Sequence, residues 1–112
     1  GGHTLSHPIL TKLSLDEAKI QITENKRVIE EIINKPIQSF AYPNGTPHPA
    51  SNKDIRNLVK NAGYEIALTT SHGVTNKNIH SLEHPRYTPW RRSPMSFLIQ
   101  LATNYRNIPS VV

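Results

Sequence analysis

Near the start of the chain, Gly1-Gly2-His3-Thr4-Leu5-Ser6-His7-Pro8 sets two histidines four residues apart, with a hydroxyl residue directly after the first. Neutral imidazole is the commonest protein ligand for zinc-like ions, and an i, i+4 pair can aim two rings at one of them. Such pairs also arise by chance on helix surfaces, as plain solvated side chains. Pro8 tells against that blander reading, because it pushes His7 out of the right-handed helical region and stops a helix from running through the pair. The rings are therefore expected on a turn leaving a strand, where binding and catalytic groups concentrate.

The rest of the composition bounds what such a site can be. A chain of 112 residues can build one modest core, so residues 1–112 are read as a single domain. There is no cysteine, which excludes disulfides and thiolate sites and leaves His, Asp and Glu to hold any metal. A net charge of +5 with a pI near 9.8 permits contact with nucleic acid or an anionic envelope surface. Lys and Arg are scattered rather than run together, so the excess reads mainly as solvated surface and nucleic acid is a poor candidate partner. No apolar run approaches membrane-spanning length, and the first residues show neither the basic nor the apolar segment of a secretory signal. A soluble domain, or a piece of one, is expected.

The elements that must position the histidines follow in order. Ser14-Leu15-Asp16-Glu17 reads as a capping box opening a helix. Leu15, Ala18, Ile22, Ile29, Ile32 and Ile33 recur at helical spacing, with Lys19, Glu24, Lys26, Glu30 and Glu31 largely opposite, until Asn34-Lys35-Pro36 ends the run. Residues 37–42 predict a short strand, stopped by Pro43-Asn44-Gly45 and a proline-rich loop through Pro49. Ser51 or Asn52 can cap a second helix through Lys60, with Ile55, Leu58, Val59 and Ala62 on its apolar side and Gly63 closing it. Residues 64–70 predict a strand, 71–81 a loop, 83–88 a short strand, 89–94 a basic turn and 96–104 a last helix, with a frayed tail from Ile108. This alternation argues for α/β architecture, with a parallel sheet, crossover helices and function at the carboxyl ends of the strands. Both the histidine pair and Tyr42-Pro43-Asn44-Gly45 fall at such ends.

His3-Thr4-Leu5-Ser6-His7 resembles the H-[ST]-x-x-H metal motif of NodB-type polysaccharide deacetylases, carbohydrate esterase family 4. After a capped helix, Ser39-Phe40-Ala41-Tyr42-Pro43-Asn44-Gly45 is similar to the branch of that family whose third motif reads F-A-Y-P-x-G. Ala62-Gly63-Tyr64 before a strand ending Thr69-Thr70, and Pro85-Arg86-Tyr87, also resemble that branch, so the likeness covers nearly the whole chain.

The resemblance implies a distorted (β/α) barrel, present here in part, that removes N-acetyl groups from amino-sugar saccharides with a divalent metal, usually zinc, held by an Asp and two His. His3 and His7 would be those ligands. The family's chemistry begins with an Asp-Asp motif on its first strand, and this chain has no adjacent Asp pair; its aspartates are Asp16 and Asp54, both on or near predicted helices. The expectation is a carboxyl-side portion of the domain, with the ligand Asp and catalytic base upstream of Gly1 and no activity from this chain alone. Asn44 is the expected backbone donor to the oxyanion, and Tyr42, Pro43 and Arg86 are expected substrate contacts. For Arg86 an ordinary ion pair is an equal alternative. His84 is the nearest candidate for the histidine acid, with His48 and His72 as loop alternatives and a solvated surface histidine as the plainer reading of each. The family's usual R-P-P-Y-G arginine and tyrosine are missing.

A cell-envelope or secreted location is favoured over a cytoplasmic one. An incomplete barrel would leave sheet edges and an inner face open, so either self-association or the missing amino-terminal half is expected to cover Phe40, Ile66 and Leu68. A second function class stays open, a non-catalytic basic module in which Trp90, Arg91 and Arg92 bind an anionic polymer, nucleic acid or acidic glycan, by charge and stacking.

Overall fold

Ser14 starts the first helix by the predicted reciprocal cap. Its hydroxyl accepts the Glu17 backbone N–H at 3.3 Å while the Glu17 carboxylate accepts the Ser14 N–H at 3.0 Å, opening α1, Leu15–Ile33. Asn34, in the left-handed conformation at φ 51°, ends α1 where the sequence places the stop. The computed structural model describes residues 1–44, 53–87 and 91–106. After a 3-10 turn at Leu10–Lys12 and α1 come β1, Ser39–Ala41; α2, Lys53–Asn61; β2, Ile66–Leu68; and α3, Pro94–Arg106. The predicted capping residues of α2 lie outside the described residues, whereas Gly63 at φ 92° follows it as expected.

β1 and β2 pair in parallel, with Phe40 opposite Ala67. Single parallel bridges extend the sheet on both sides, Gly2 to Phe40 and Leu68 to His84. Four extended segments thus run side by side in chain order and in one direction, which brings the residues after Gly2, Ala41, Leu68 and His84 to one carboxyl edge. The α/β class is as expected. A closed barrel is not seen among the described residues.

The strands are shorter than predicted for a local reason. Ile37 N–H donates to the Glu30 carboxylate at 2.9 Å and Ile37 C=O accepts from Lys26 Nζ at 2.7 Å, so α1 side chains take the groups that would have lengthened β1. Lys26 and Glu30, which also pair with each other, are therefore half-buried clamps and not members of a solvated face. Beyond β2, Thr69 turns its N–H to His84 C=O at 2.8 Å, and the predicted 83–88 strand reduces to the bridge at His84, with Thr88 outside the described residues.

The core joins Ala18 and Ile22 of α1, Ile55 and Val59 of α2, Phe40, Tyr42, Tyr64, Ala67 and Leu82. Alternation along a strand turns Phe40 and Ala67 towards both helices and Ile66 and Leu68 to the opposite face. Phe40 is 1% exposed, so the expectation that it lines an outward contact is corrected, whereas Ile66 and Leu68 remain 47% and 37% exposed. Leu15, Ile32 and Ile33 are likewise exposed and contribute little to the α1 core stripe.

Tyr64 packs against Phe40, ring centroids 5.1 Å apart, beneath Lys26 Nζ. Burial, with a smaller push from the Glu30 carboxylate, raises its phenol from 10.0 to about 12. The fold holds this proton more tightly than the unfolded chain does. Its contribution to stability is therefore full below pH 10 and is lost as pH rises towards 12. Ultraviolet titration should show one phenolate forming about two pH units above an ordinary tyrosine, together with a falling urea midpoint across that window. A Tyr64 that ionises with the exposed phenols would mean the ring is not buried.

Candidate functional site

His3 follows the bridge residue Gly2 directly, so parallel pairing with β1 carries its backbone to the carboxyl edge of the sheet. Its Nδ1 lies 2.8 Å from the Ala41 carbonyl oxygen. A carbonyl can only accept, so the ring proton sits on Nδ1 and the Nε2 lone pair is left for a ligand. His7 faces it at a ring-centroid distance of 4.7 Å with planes 68° apart. Two imidazoles bound through Nε2 to one tetrahedral ion at about 2 Å would place their centroids roughly 5 Å apart. The pair thus has ligand-like spacing, although its loop is not helical.

Rings four positions apart in this loop meet only because the three residues between them follow a contorted backbone. Thr4 at φ 66° and His7 at φ 59° are both left-handed. His7 does avoid the right-handed helical region as Pro8 requires, but by crossing to positive φ. For a β-branched threonine this is costly, with about 1–3 kcal/mol stored at each such residue. Thr4 Oγ1 accepts the His7 N–H at 3.1 Å, closing the loop on itself. From α1, Asn25 Oδ1 accepts the His3 N–H at 2.9 Å, and Gln21 Oε1 accepts the N–H groups of Leu5 and Ser6 at 3.0 and 3.1 Å. Gln21 and Asn25 are the residues that the sequence reading passed over. Their one signal was an asparagine, a weak helix former, four residues after a glutamine inside an otherwise good helix.

Asn44 reaches the same place from the end of β1, its side-chain Nδ2 donating to His7 Nδ1 at 3.2 Å. In this orientation Nδ1 accepts, and the proton of a neutral His7 stands on Nε2. A half-turn of the amide would present Oδ1 to an Nδ1 proton and free Nε2 to match His3. The structure therefore brings together His3, His7 and Asn44. Pro43 has no N–H, which makes the Asn44 amide the first backbone donor past Tyr42, and it makes no backbone hydrogen bond among the described residues.

Other expected site residues stand elsewhere. Tyr42 is 3% exposed, its hydroxyl donates to Leu82 C=O at 3.1 Å, and burial raises its phenol strongly. Its side chain serves the core and Pro43 is buried as well, so a substrate contact from either would have to come from backbone. His84 is three positions across the sheet from His3, about 14 Å at one strand spacing each, with Nδ1 against the Thr75 hydroxyl. Arg86 is exposed and forms no ion pair among the described residues. His72 packs at a tilt against Tyr87, ring centroids 5.3 Å apart, and His48 lies outside the described residues. Asp16 and Asp54 sit exposed in the first turns of α1 and α2, while Glu83 pairs with Arg56 at 2.9 Å. No group of three or more His, Cys, Asp or Glu among the described residues could hold a metal. The fit is thus two imidazoles of a ligand set. Of the basic turn, Arg91 and Arg92 are exposed and Trp90 lies outside the described residues.

Residues 1–67 match the family profile described as polysaccharide deacetylase. No curated protein matches the chain significantly. Among solved structures, a Streptococcus pyogenes deacetylase, PplD, in complex with acetate, is similar in fold at a TM-score of 0.74 and 22% identity, over 91% of this chain and 42% of that one. The chain thus spans less than half the length of that relative.

Proposed function

Because the chain belongs to the polysaccharide deacetylase family, we propose that it contributes to a metal-dependent hydrolase that removes N-acetyl groups from an amino-sugar saccharide. The observation that carries this is the His3–His7 pair, with one Nε2 freed by the Ala41 carbonyl and the rings 4.7 Å apart. Zinc is the divalent metal best suited to two imidazoles and a carboxylate, the carboxylate coming from outside the described residues. Bound there, the metal would polarise the acetyl carbonyl and acidify a water. His3 and His7 hold it, and the Asn44 N–H is the donor to the oxygen on which charge builds. His84 is the candidate acid for the leaving amine and Arg86 a candidate saccharide contact, both requiring the sheet to curve towards the histidines. Family membership favours this reading over an anionic-polymer module. A location in the cell envelope or outside the cell suits a saccharide substrate; no helix among the described residues is long and apolar enough to cross a membrane.

The test is calorimetric titration of zinc into the chain and into its H3A/H7A variant. With two neutral ligands and no carboxylate, weak binding is expected that the variant loses at least tenfold. Equal affinity would remove the metal reading. Acetate release from N-acetylglucosamine oligomers by this chain alone should stay at background, since proton abstraction from water needs a base beside the metal. Chelator-sensitive turnover would show that the base is already present.

The outward face bearing Ile66 and Leu68 is proposed to be covered by the remaining strands of the same domain, in keeping with the 42% coverage of PplD. Alone, the chain should then self-associate through it. Light scattering over a concentration series should show growing mass for the chain and a monomer for I66K/L68K. A monomer at every concentration without substitution would defeat the proposal.

A further inference from the structure

The loop from His3 to His7 is exposed at His3, Leu5, Ser6 and His7, so packing does little to hold it. Two of its residues are nevertheless kept at positive φ, a conformation that persists only when surrounding groups determine it. Within the loop the one internal tie is His7 N–H to Thr4 Oγ1. Among the described residues, every other hydrogen bond that its backbone N–H groups make goes to α1, and to two side chains only. Asn25 Oδ1 takes His3, the residue whose own ring must present Nε2. Gln21 Oε1 takes Leu5 and Ser6 together, and its Nε2 donates to Ser6 Oγ at 3.0 Å.

Residues four apart stand one above the other on a helix face, so the two amides form a ladder with the pitch of one turn. Both side chains are half-buried, while the loop residues they hold are exposed. Neither amide is needed by the helix, where alanine would be the better former at either position.

We propose that the Gln21–Asn25 amide pair of α1 positions His3 and His7, holding the strained loop between them in the geometry that presents both imidazoles to one divalent metal. This rests on the metal reading above. Gln21 and Asn25 touch neither ion nor substrate; they act through the backbone of the ligands, as groups behind metal ligands commonly do.

The experiment joins amide hydrogen exchange with zinc titration on Q21A, N25A and their double variant, with Q21E and N25D as variants that keep the acceptor oxygen. Q21A is expected to lose protection at Leu5 and Ser6, N25A at His3, and each to weaken zinc at least tenfold. Q21E and N25D should keep the protection at those amides. Since alanine favours the helix, unfolding does not stand in the way, and far-ultraviolet circular dichroism checks it. Unchanged exchange and affinity in the double variant would overturn the proposal. So would lost protection with unchanged affinity, because the amides would then hold the loop without serving the ligands. If the unsubstituted chain binds zinc no better than H3A/H7A, the metal reading falls and the ligand role with it, while the exchange data still report which amides Gln21 and Asn25 hold.

Discussion

Replacing Phe40 with alanine is expected to destabilise the chain by about 3–5 kcal/mol, the range for emptying a buried aromatic site. Phe40 is 1% exposed and sits between Tyr42 and Tyr64, at centroid distances of 5.3 and 5.1 Å. Its backbone is held on both sides, by the bridge to Gly2 and by Ala67 of β2, so the site has little freedom to collapse around the void. Aromatic pairs of this geometry add about 0.5–1.5 kcal/mol beyond the area they bury. Against a total stability of about 5–15 kcal/mol, the loss is a large fraction or the whole. Urea unfolding followed by circular dichroism measures it. A loss below about 1 kcal/mol would mean that the core is organised elsewhere.

The same residue shows what the sequence could and could not reveal. Alternation in Ser-Phe-Ala-Tyr marks a strand, but both Phe40 and Tyr42 proved to face the helices as core, and no local pattern states which side of a sheet its helices occupy. The caps of α1 were legible because each is a contact between near neighbours in sequence, Ser14 with Glu17 and the turn at Asn34. The shortening of β1 was not, since Lys26 and Glu30 reach Ile37 across a connection that periodicity reads only as charge.

At the site the division is similar. The histidine pair was visible from residue type and spacing. The positive φ at Thr4 and His7 was not, for neither residue type asks for it and the loop is held by α1 from 15 to 22 residues away. The core role of the Tyr42 side chain was not legible either, because its hydroxyl finds Leu82 forty residues on, a pairing that only the fold supplies.

Placing alanine at Gly2 should damage core and site together. A Cβ there would stand 2.8 Å from Tyr64 Cζ, closer still to the Tyr64 hydroxyl oxygen, and 3.0 Å from Asn25 Oδ1. Gly2 cannot withdraw, because its N–H donates to Ser39 C=O at 2.8 Å and its C=O accepts Ala41 N–H at 2.9 Å. Tyr64 cannot swing aside either, with Phe40 against its ring and Lys26 above it. Overpacking of this kind costs about 1–3 kcal/mol, and displacing Asn25 from the His3 N–H adds about 1 kcal/mol more. Zinc binding should weaken in parallel, through Asn25. The Tyr64 hydroxyl is buried and has no hydrogen-bond partner among the described residues, so Y64F removes the nearest clashing atom at little cost to the native chain. In a double-mutant cycle, Y64F alone should be neutral or slightly stabilising, and G2A/Y64F should regain at least about 1 kcal/mol of what G2A loses. Additive effects of the two substitutions would show that Gly2 and Tyr64 are not in contact, and the packing of the first extended segment over Tyr64 would have to be redrawn.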